Sequence, residues 1–252
     1  SDLALEARHS TASVLRGIGP TRQSAPFDVG RVLAVPAHAL SRVSGAPWLI
    51  LRSVIFALFW VLREIELAHV RDMDVTIDYT AKTATVGLSV SKTDPTALGC
   101  TRTWGCVCRG IVPAGQVPLC GYCAAVSAKE DNLLRFGEVL PPDLPLFSDA
   151  SGSICCKAAI IEMLERLVKA AGGRIVSPSG DKLLGGHSFR VQGARMLASM
   201  GIEIMVIMLL ARWGTAVVLR YVQEAHLAAI TDTYRNLEAN NSLPDLIEHV
   251  HG

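Results

Sequence analysis

The sequence predicts an α+β domain that is mostly α-helical and carries one small antiparallel sheet. Residues 75–79 and 84–90 alternate apolar and polar side chains and contain many β-branched residues, a pattern typical of short strands. Helical periodicity begins at about residue 131 and returns over 155–171, where apolar side chains recur at three- to four-residue spacing. The chain beyond Gly186 continues the helical pattern. Two short strands among several helices therefore predict the mixed class.

The chain divides into a lead-in, a main domain and a tail. Residues 1–45 are rich in Gly, Pro, Ser and Ala and predict a loosely structured lead-in with room for one helix. The main domain is expected to span 46–235, beginning with one long apolar helix over 46–68. Residues 99–125 hold five cysteines together with Gly and Pro, which predicts a loop insertion in that domain. Residues 236–252 form the tail.

Composition argues against a membrane-spanning protein and leaves nucleic-acid binding open, with a membrane-associated or zinc-stapled interaction module as a further alternative. Half of the 252 residues are apolar, but the most apolar run, 48–62, contains Arg52 and is shorter than the roughly 20 residues that span a bilayer. We therefore expect buried core helices and no membrane partner. Seven cysteines without a secretory signal favour a reducing, intracellular compartment, the nucleus if the host is a eukaryote. The net charge of +1 is no strong basic bias, although a local basic surface would suffice for DNA.

Four side chains near the C-terminal end have the chemistry that phosphoryl transfer on DNA requires. Arg190 offers a planar fork for two phosphate oxygens. His187 and Trp213 can donate hydrogen bonds to such oxygens, and the Tyr221 hydroxyl can act as a nucleophile. The Gly-Gly pair before His187 allows close approach of a ligand, and a helix N-terminus favours an anion. From His187 and Arg190 alone, a capped surface helix with an incidental arginine is the simpler interpretation.

The order of the motifs around these residues resembles the tyrosine recombinase (phage integrase) superfamily. The matching run covers residues 187–223 and reads His-Ser-Phe-Arg190, then Leu-Ala-Arg-Trp213, then Ala-Val-Val-Leu-Arg-Tyr221. Its tryptophan-containing form is most similar to the recombinases of eukaryotic mobile elements. The resemblance implies an integrase-like catalytic domain with a small sheet, in agreement with the fold class predicted from periodicity.

The same resemblance assigns two further catalytic residues upstream. The family places its first arginine in an Arg-x-x-Glu-Leu stretch before the sheet, which here is Arg63 followed by Glu66, a residue expected to orient the arginine. The competing interpretation is that Arg63 merely ends the apolar helix, where a cation suits the C-terminal dipole. The family also places a lysine on the turn of the sheet. Lys92 follows the second predicted strand, and Lys82, between the strands, is the alternative.

The nucleophile also has an alternative. The spacing from Trp213 to Tyr221 is eight residues, one fewer than in many bacterial members with a histidine at the tryptophan position. Tyr234, on the next predicted helix, is therefore the second candidate. The family's separate N-terminal DNA-clamping domain does not fit into residues 1–45, so the sequence resembles a catalytic-domain fragment.

The resemblance implies a covalent mechanism on double-stranded DNA. Tyr221 would attack a phosphodiester in line and form a 3′-phosphotyrosyl bond, while Lys92 protonates the leaving 5′-oxygen. Arg63, Arg190, His187 and Trp213 would stabilise the phosphorane, and catalysis would need no cofactor. A homotetramer would assemble on two duplexes. The tail is a candidate protomer-exchange element, and a helix packed on its own domain is the equal alternative. A type IB topoisomerase and a non-cutting DNA-binding relative are the alternative functions.

Four cysteines in the predicted insertion have spacing compatible with a structural metal site. Cys106 and Cys108 form one close pair, Cys120 and Cys123 form another, and eleven residues separate the pairs. Two such pairs can hold a tetrahedral Zn²⁺. The alternative is a set of half-buried free thiols, because Cys-x-Cys is a less usual ligand spacing than Cys-x-x-Cys.

Overall fold

The computed structural model describes residues 24–88, 100–108 and 117–211. Its helices, in chain order, are α1 (Val29–Leu33), α2 (Ile50–Phe59), α3 (Glu64–His69), α4 (Gly121–Phe136), α5 (Lys157–Ala170), α6 (Ser188–Ser199) and α7 (Ile204–Ala211). The strands β1 (Val75–Asp78), β2 (Thr83–Leu88) and β3 (Cys100–Gly105) form one antiparallel sheet in that order. The predicted fold class, mostly helical with a small antiparallel sheet, is confirmed.

Alternation of side chains along β2 explains how the sheet packs. Ala84, Val86 and Leu88 are buried, whereas the residues between them are partly exposed, so one face of the strand joins the core. Strand β1 pairs with β2 with Val75 opposite Val86, and α4 contacts both strands. The two predicted strands are therefore present and antiparallel.

Helix α2 forms the centre of the core. Its residues from Val54 to Leu58 are fully buried, as expected for a helix that is apolar on all sides. It packs against α4 and α6, and at Gly193 of α6 the two backbones meet so closely that a Cβ would overlap the Leu58 carbonyl oxygen. Within the described residues, no helix combines the length and apolar character needed to cross a bilayer.

The long helix expected over residues 46–68 is interrupted, and the prediction of one continuous helix is wrong. Helix α2 ends at Phe59 and α3 begins at Glu64. Between them Val61 has a φ of 50°, the left-handed conformation usually reserved for glycine after a helix. The Val61 N–H donates to the Leu58 carbonyl (3.3 Å) and the Leu62 N–H donates to the Ala57 carbonyl (2.9 Å). This Schellman-type turn reverses the chain within an unbroken apolar sequence, which periodicity alone does not detect.

The cysteine-rich segment 99–125 is also more regular than predicted, and its interpretation as a loop insertion is wrong for much of its length. Strand β3 pairs with β2 along all six of its residues. Helix α4 begins at Gly121, well before the helix expected from about residue 131. Thr101, Thr103 and Trp104 favour a strand, a local signal that the neighbouring Cys and Gly residues obscure.

Part of the predicted lead-in contributes to the core. Phe27 and Val32 are buried, and Asp28 caps α1 by accepting a hydrogen bond from the Arg31 N–H (3.0 Å). The Phe27 N–H donates to Oε1 of Gln192 on α6 (3.1 Å). Within the described part of this segment, residues 24–45, α1 is an α-helix.

Candidate active site

Arg63 is held at the start of a helix rather than at the end of one. It precedes α3 in an extended conformation (φ −80°, ψ 161°), and its backbone N–H donates to Oε2 of Glu66 (2.7 Å). This contact closes the first turn of α3. The competing interpretation, a cation stabilising the C-terminal dipole of a long helix, does not apply to this position. Among the described residues the buried Arg63 Nε has no hydrogen-bond partner.

Glu66 connects Arg63 to Arg190 across the fold. Its Oε2 also accepts a hydrogen bond from Nη2 of Arg190 at 2.6 Å, forming an ion pair between α3 and α6. Arg190 is only 2% exposed, and its Nε donates to the Val61 carbonyl oxygen at 3.0 Å. Glu66 was expected to orient Arg63. Its carboxylate contacts Arg63 at the backbone N–H and also pairs with the Arg190 guanidinium.

The left-handed turn at Val61 is part of this arrangement. A β-branched residue with positive φ is costly, on the order of 1–2 kcal/mol, and persists only where surrounding contacts fix it. Here the turn aims the Val61 carbonyl at the Arg190 Nε, while the following residues lead directly to Arg63. The conformation of this turn therefore sets the positions of both arginines.

His187 lies immediately before α6, one helical turn from Arg190. The adjoining backbone is fixed by Ser188, whose Oγ accepts a hydrogen bond from the Gly185 N–H (2.8 Å). The His187 side chain is exposed overall, but partial burial of the ring, followed by the positive charges of Arg63 and Arg190, lowers its pKa. The imidazole is therefore biased towards its neutral form, which can still donate one hydrogen bond.

Glu64 is a neighbour of this site that sequence reasoning missed. It is buried, its N–H donates to the Gly186 carbonyl (3.3 Å), and a Cβ on Gly186 would overlap its carboxylate. Its Oε1 pairs with Nζ of the exposed Lys157 at 3.2 Å. Gly186 is thus required for close approach of the loop before His187 to α3. The Gly-Gly pair signals such an approach, but nothing in the sequence identifies Glu64 as the contacted residue.

The structure brings together three of the six predicted catalytic residues, Arg63, His187 and Arg190. With Glu66 they form what we call the arginine cluster: the Glu66 carboxylate accepts from the Arg190 guanidinium and the Arg63 backbone N–H, and both arginines act electrostatically on His187. Such a set can bind an anion with two negative oxygens. Lys92, Trp213, Tyr221 and the alternative nucleophile Tyr234 lie outside the described residues. The alternative lysine, Lys82, is exposed in the turn between β1 and β2.

Cys106, Cys108, Cys120 and Cys123, which we call the cysteine group, lie together between β3 and α4. Their sulfur atoms are all within 4.8 Å of one another. Cys120 is buried and the other three are half-buried.

Electrostatics differ among these thiols. Burial raises the pKa of Cys108 to about 11 and also raises the pKa of Cys123. Burial acts to raise the pKa of Cys120 as well, but backbone N–H donors from Cys123 and Val107 hold it below its ordinary value. Of Cys108, Cys120 and Cys123, the Cys120 thiol is therefore the one most easily converted to thiolate.

Known structures resemble this fold at low sequence identity. No protein-family model matches the chain, and no curated protein does. The XerH site-specific recombinase bound to a palindromic difH substrate in a post-cleavage complex matches with a TM-score of 0.55 and 13% identity over 89% of this chain. A lambda integrase dimer bound to a COC′ core site matches at 0.53 with 16% identity over 81%. The XerA recombinase matches at 0.52 with 14% identity over 87%.

These matches cover most of this chain but only part of each known structure. The chain spans 55% of the XerH chain, 60% of the lambda integrase chain and 65% of the XerA chain. At 13–16% identity the likeness establishes the fold alone. The helices around a three-stranded antiparallel sheet therefore form the integrase-like catalytic-domain fold.

Proposed function

We propose that this chain is the catalytic domain of a site-specific DNA recombinase or integrase of the tyrosine recombinase superfamily. It would cleave and rejoin double-stranded DNA through a covalent 3′-phosphotyrosyl intermediate. Two independent lines support this. The motif order over residues 187–223 resembles the superfamily, and the fold resembles solved recombinases. The tryptophan-containing motif favours a source among eukaryotic mobile elements, and hence a nuclear site of action.

The observation that carries the proposal is the bridge from Arg63 through Glu66 to Arg190. Glu66 and Arg190 are 124 positions apart in the chain, and the same Glu66 oxygen accepts from Arg190 and from the Arg63 backbone N–H. Placing two arginines beside His187 costs electrostatic free energy unless a bound anion neutralises the excess positive charge. A scissile phosphate would supply acceptors for this cluster, including the buried Arg63 Nε.

In the proposed mechanism the protein positions a phosphodiester and neutralises the charge that develops on it. Arg63 and Arg190 would hold the two non-bridging oxygens, and the neutral His187 would donate a hydrogen bond, as would Trp213. Tyr221 would attack the phosphorus in line, breaking the bond to the 5′-oxygen. Lys92 would protonate that oxygen as the general acid. A 5′-hydroxyl of a second strand reverses the step, since the phosphotyrosine retains the energy of the broken bond.

The partners follow from the same proposal. The substrate would be double-stranded DNA, and strand exchange would require a homotetramer on two duplexes. The XerH and lambda integrase structures are complexes with DNA. A type IB topoisomerase would use similar residues but would relax supercoils without exchanging strands. A non-cutting DNA-binding relative would bind DNA without forming an adduct.

A suicide substrate tests the proposal. Duplex DNA with a nick near the cleavage site should yield a covalent protein–DNA adduct that survives denaturation. Tyr221→Phe should abolish the adduct and Tyr234→Phe, the matched control, should retain it. The reverse result would move the nucleophile to Tyr234. Absence of an adduct from every variant, with DNA binding intact, would favour the non-cutting alternative.

The outcome of rejoining separates the two enzymatic alternatives. A recombinase should transfer the tyrosyl-linked strand to a second duplex bearing a free 5′-hydroxyl, giving a recombinant product. A topoisomerase should relax a supercoiled plasmid and give no such product. Relaxation without exchange would contradict the recombinase assignment while leaving Tyr221 as the nucleophile.

A further inference from the structure

The cysteine group has the geometry of a metal site, and we propose that Cys106, Cys108, Cys120 and Cys123 bind one structural Zn²⁺ ion. Cys108 Sγ and Cys123 Sγ are 3.6 Å apart, and Cys106 Sγ and Cys120 Sγ are 3.9 Å apart. Four ligands at about 2.3 Å from a tetrahedral Zn²⁺ are separated by about 3.8 Å. The sulfur spacing therefore fits a single ion at the centre of the group.

The same distances argue against a pair of disulfides. A disulfide bond is about 2.05 Å long, much shorter than either sulfur separation. Thiol hydrogen bonds are weak and do not by themselves explain why four cysteines from two elements converge. A closed set of four thiolates with no position for water is the arrangement of structural zinc sites. On binding, each thiol loses its proton and the Zn²⁺ gains four sulfur ligands, so four protons are released for each ion bound.

The surrounding backbone is arranged to support negative charge on the sulfurs. Cys120 is the N-cap residue of α4 and Cys123 lies in its first turn, where the helix dipole favours anions. The Val107 N–H approaches Cys120 Sγ at 3.5 Å. A zinc ion with four thiolate ligands carries a net charge of −2. The N-terminus of α4 would stabilise that charge, and this observation is independent of the sulfur distances.

The position of the site indicates a structural role. Cys106 and Cys108 follow the end of β3, while Cys120 and Cys123 begin α4. A Cβ on Gly121, between the last two, would lie 2.9 Å from the Trp60 ring and 3.0 Å from Phe59, so the start of α4 sits directly against the end of α2. A bound ion would join the edge of the sheet to this junction.

Metal content and thiol variants test the proposal on the full chain purified under reducing conditions. The wild-type protein should contain one equivalent of zinc. Cys106→Ser and Cys123→Ser should each reduce it to near zero. Cys156→Ser is the matched control, because Cys156 is an exposed cysteine outside the group whose Sγ only caps α5. That variant should retain the full equivalent. Zinc retained by Cys106→Ser and Cys123→Ser would overturn the assignment.

A second measurement covers the case in which the serine variants fail to fold. Co²⁺ added to the metal-free wild-type protein should produce the intense thiolate-to-cobalt charge-transfer bands of a tetrahedral sulfur site, and added Zn²⁺ should abolish them. The mass of the intact wild-type protein under native conditions should exceed that of the metal-free protein by one zinc ion, less the protons that the ion displaces. A wild-type protein without zinc that also gives no cobalt bands would refute the proposal, as would a mass showing two disulfides.

Discussion

The arginine cluster and the cysteine group both adjoin the C-terminal end of α2, but they differ in what completes them. In the arginine cluster, Glu66 supplies the counter-charge and the Val61 carbonyl supplies a further acceptor, so the fold itself stabilises a buried guanidinium. In the cysteine group the four sulfurs face one another with only weak contacts between them. The fold itself pairs the Arg190 guanidinium, although the Arg63 Nε has no partner among the described residues. In the cysteine group, the proposed zinc ion would supply most of the stabilisation.

The largest effect is expected from Glu66→Gln. It leaves the Arg190 guanidinium buried without its counter-charge and should lower the free energy of unfolding by about 3–5 kcal/mol. Glu162→Gln is the matched control. Glu162 and Arg166 form an ion pair of the same 2.6 Å length, but their side chains are 48% and 47% exposed, against 8% and 3% for Glu66 and Arg190. The control should cost less than about 1 kcal/mol. Denaturant unfolding measures both variants. Equal losses of unfolding free energy would show that burial does not strengthen the Glu66–Arg190 ion pair.

The next largest effect should come from removal of zinc. At free zinc 1,000-fold above its dissociation constant, binding stabilises the folded state by about 4 kcal/mol, which a chelator should remove. Hydrogen exchange should then quicken first at the start of α4 and at β3, with α6 and its Arg190 retaining protection. The same unfolding midpoint with and without chelator would show that the cysteine group does not depend on an ion.

Gly193→Ala tests the packing that holds the arginine cluster. Its Cβ would overlap the Leu58 carbonyl oxygen, so α6 must move away from α2 at a cost of about 1–3 kcal/mol. Gly105→Ala is the control, since nothing lies within 4 Å of a Cβ at that position. Thermal unfolding of the two variants measures the difference. A Gly193→Ala protein as stable as the wild type would contradict the close approach of the two backbones.

The smallest effect concerns pH. Because partial burial and the charges of Arg63, Arg190 and Lys157 lower the His187 pKa, against an opposing contribution from Glu64, the unfolded state binds the proton more readily than the folded state. Stability should therefore fall as pH falls below about 6.5, the ordinary histidine value, and His187→Asn should reduce that slope. Unfolding free energies of both proteins between pH 7.5 and 5.5 provide the comparison. If His187→Asn left the dependence of unfolding free energy on pH unchanged, the charges of the arginines would not act on His187 as described.

Sequence patterns predicted those parts of the fold in which local periodicity and final burial agree. The strand β2 and the helix α5 follow directly from alternation and from three- to four-residue spacing. The break at Val61 was missed because a buried valine in a left-handed turn violates local preference, and only tertiary contacts stabilise it. Strand β3 was missed although Thr101, Thr103 and Trp104 favour a strand, because the surrounding cysteines and glycines indicated a loop.

The candidate site shows the same division between local and distant information. Arg63, His187 and Arg190 were selected by motif order, which needs no knowledge of contacts. Glu66 contacts Arg63 as its place in the motif suggests, but its ion pair with Arg190 was missed because that partner is 124 positions away in the chain. The cysteine spacing suggested a group of four ligands, but only the folded positions of β3 and α4 show that the sulfurs converge.

Mapping the covalent adduct tests whether covalent catalysis takes place at the arginine cluster. After reaction with the suicide substrate, proteolysis and mass spectrometry should identify one peptide carrying a nucleotide phosphate on Tyr221. Arg190→Lys, which removes the two-oxygen contact, should lower the yield of that peptide by at least about tenfold. A phosphate mapped to Tyr234, or a yield unaffected by Arg190→Lys, would contradict this account.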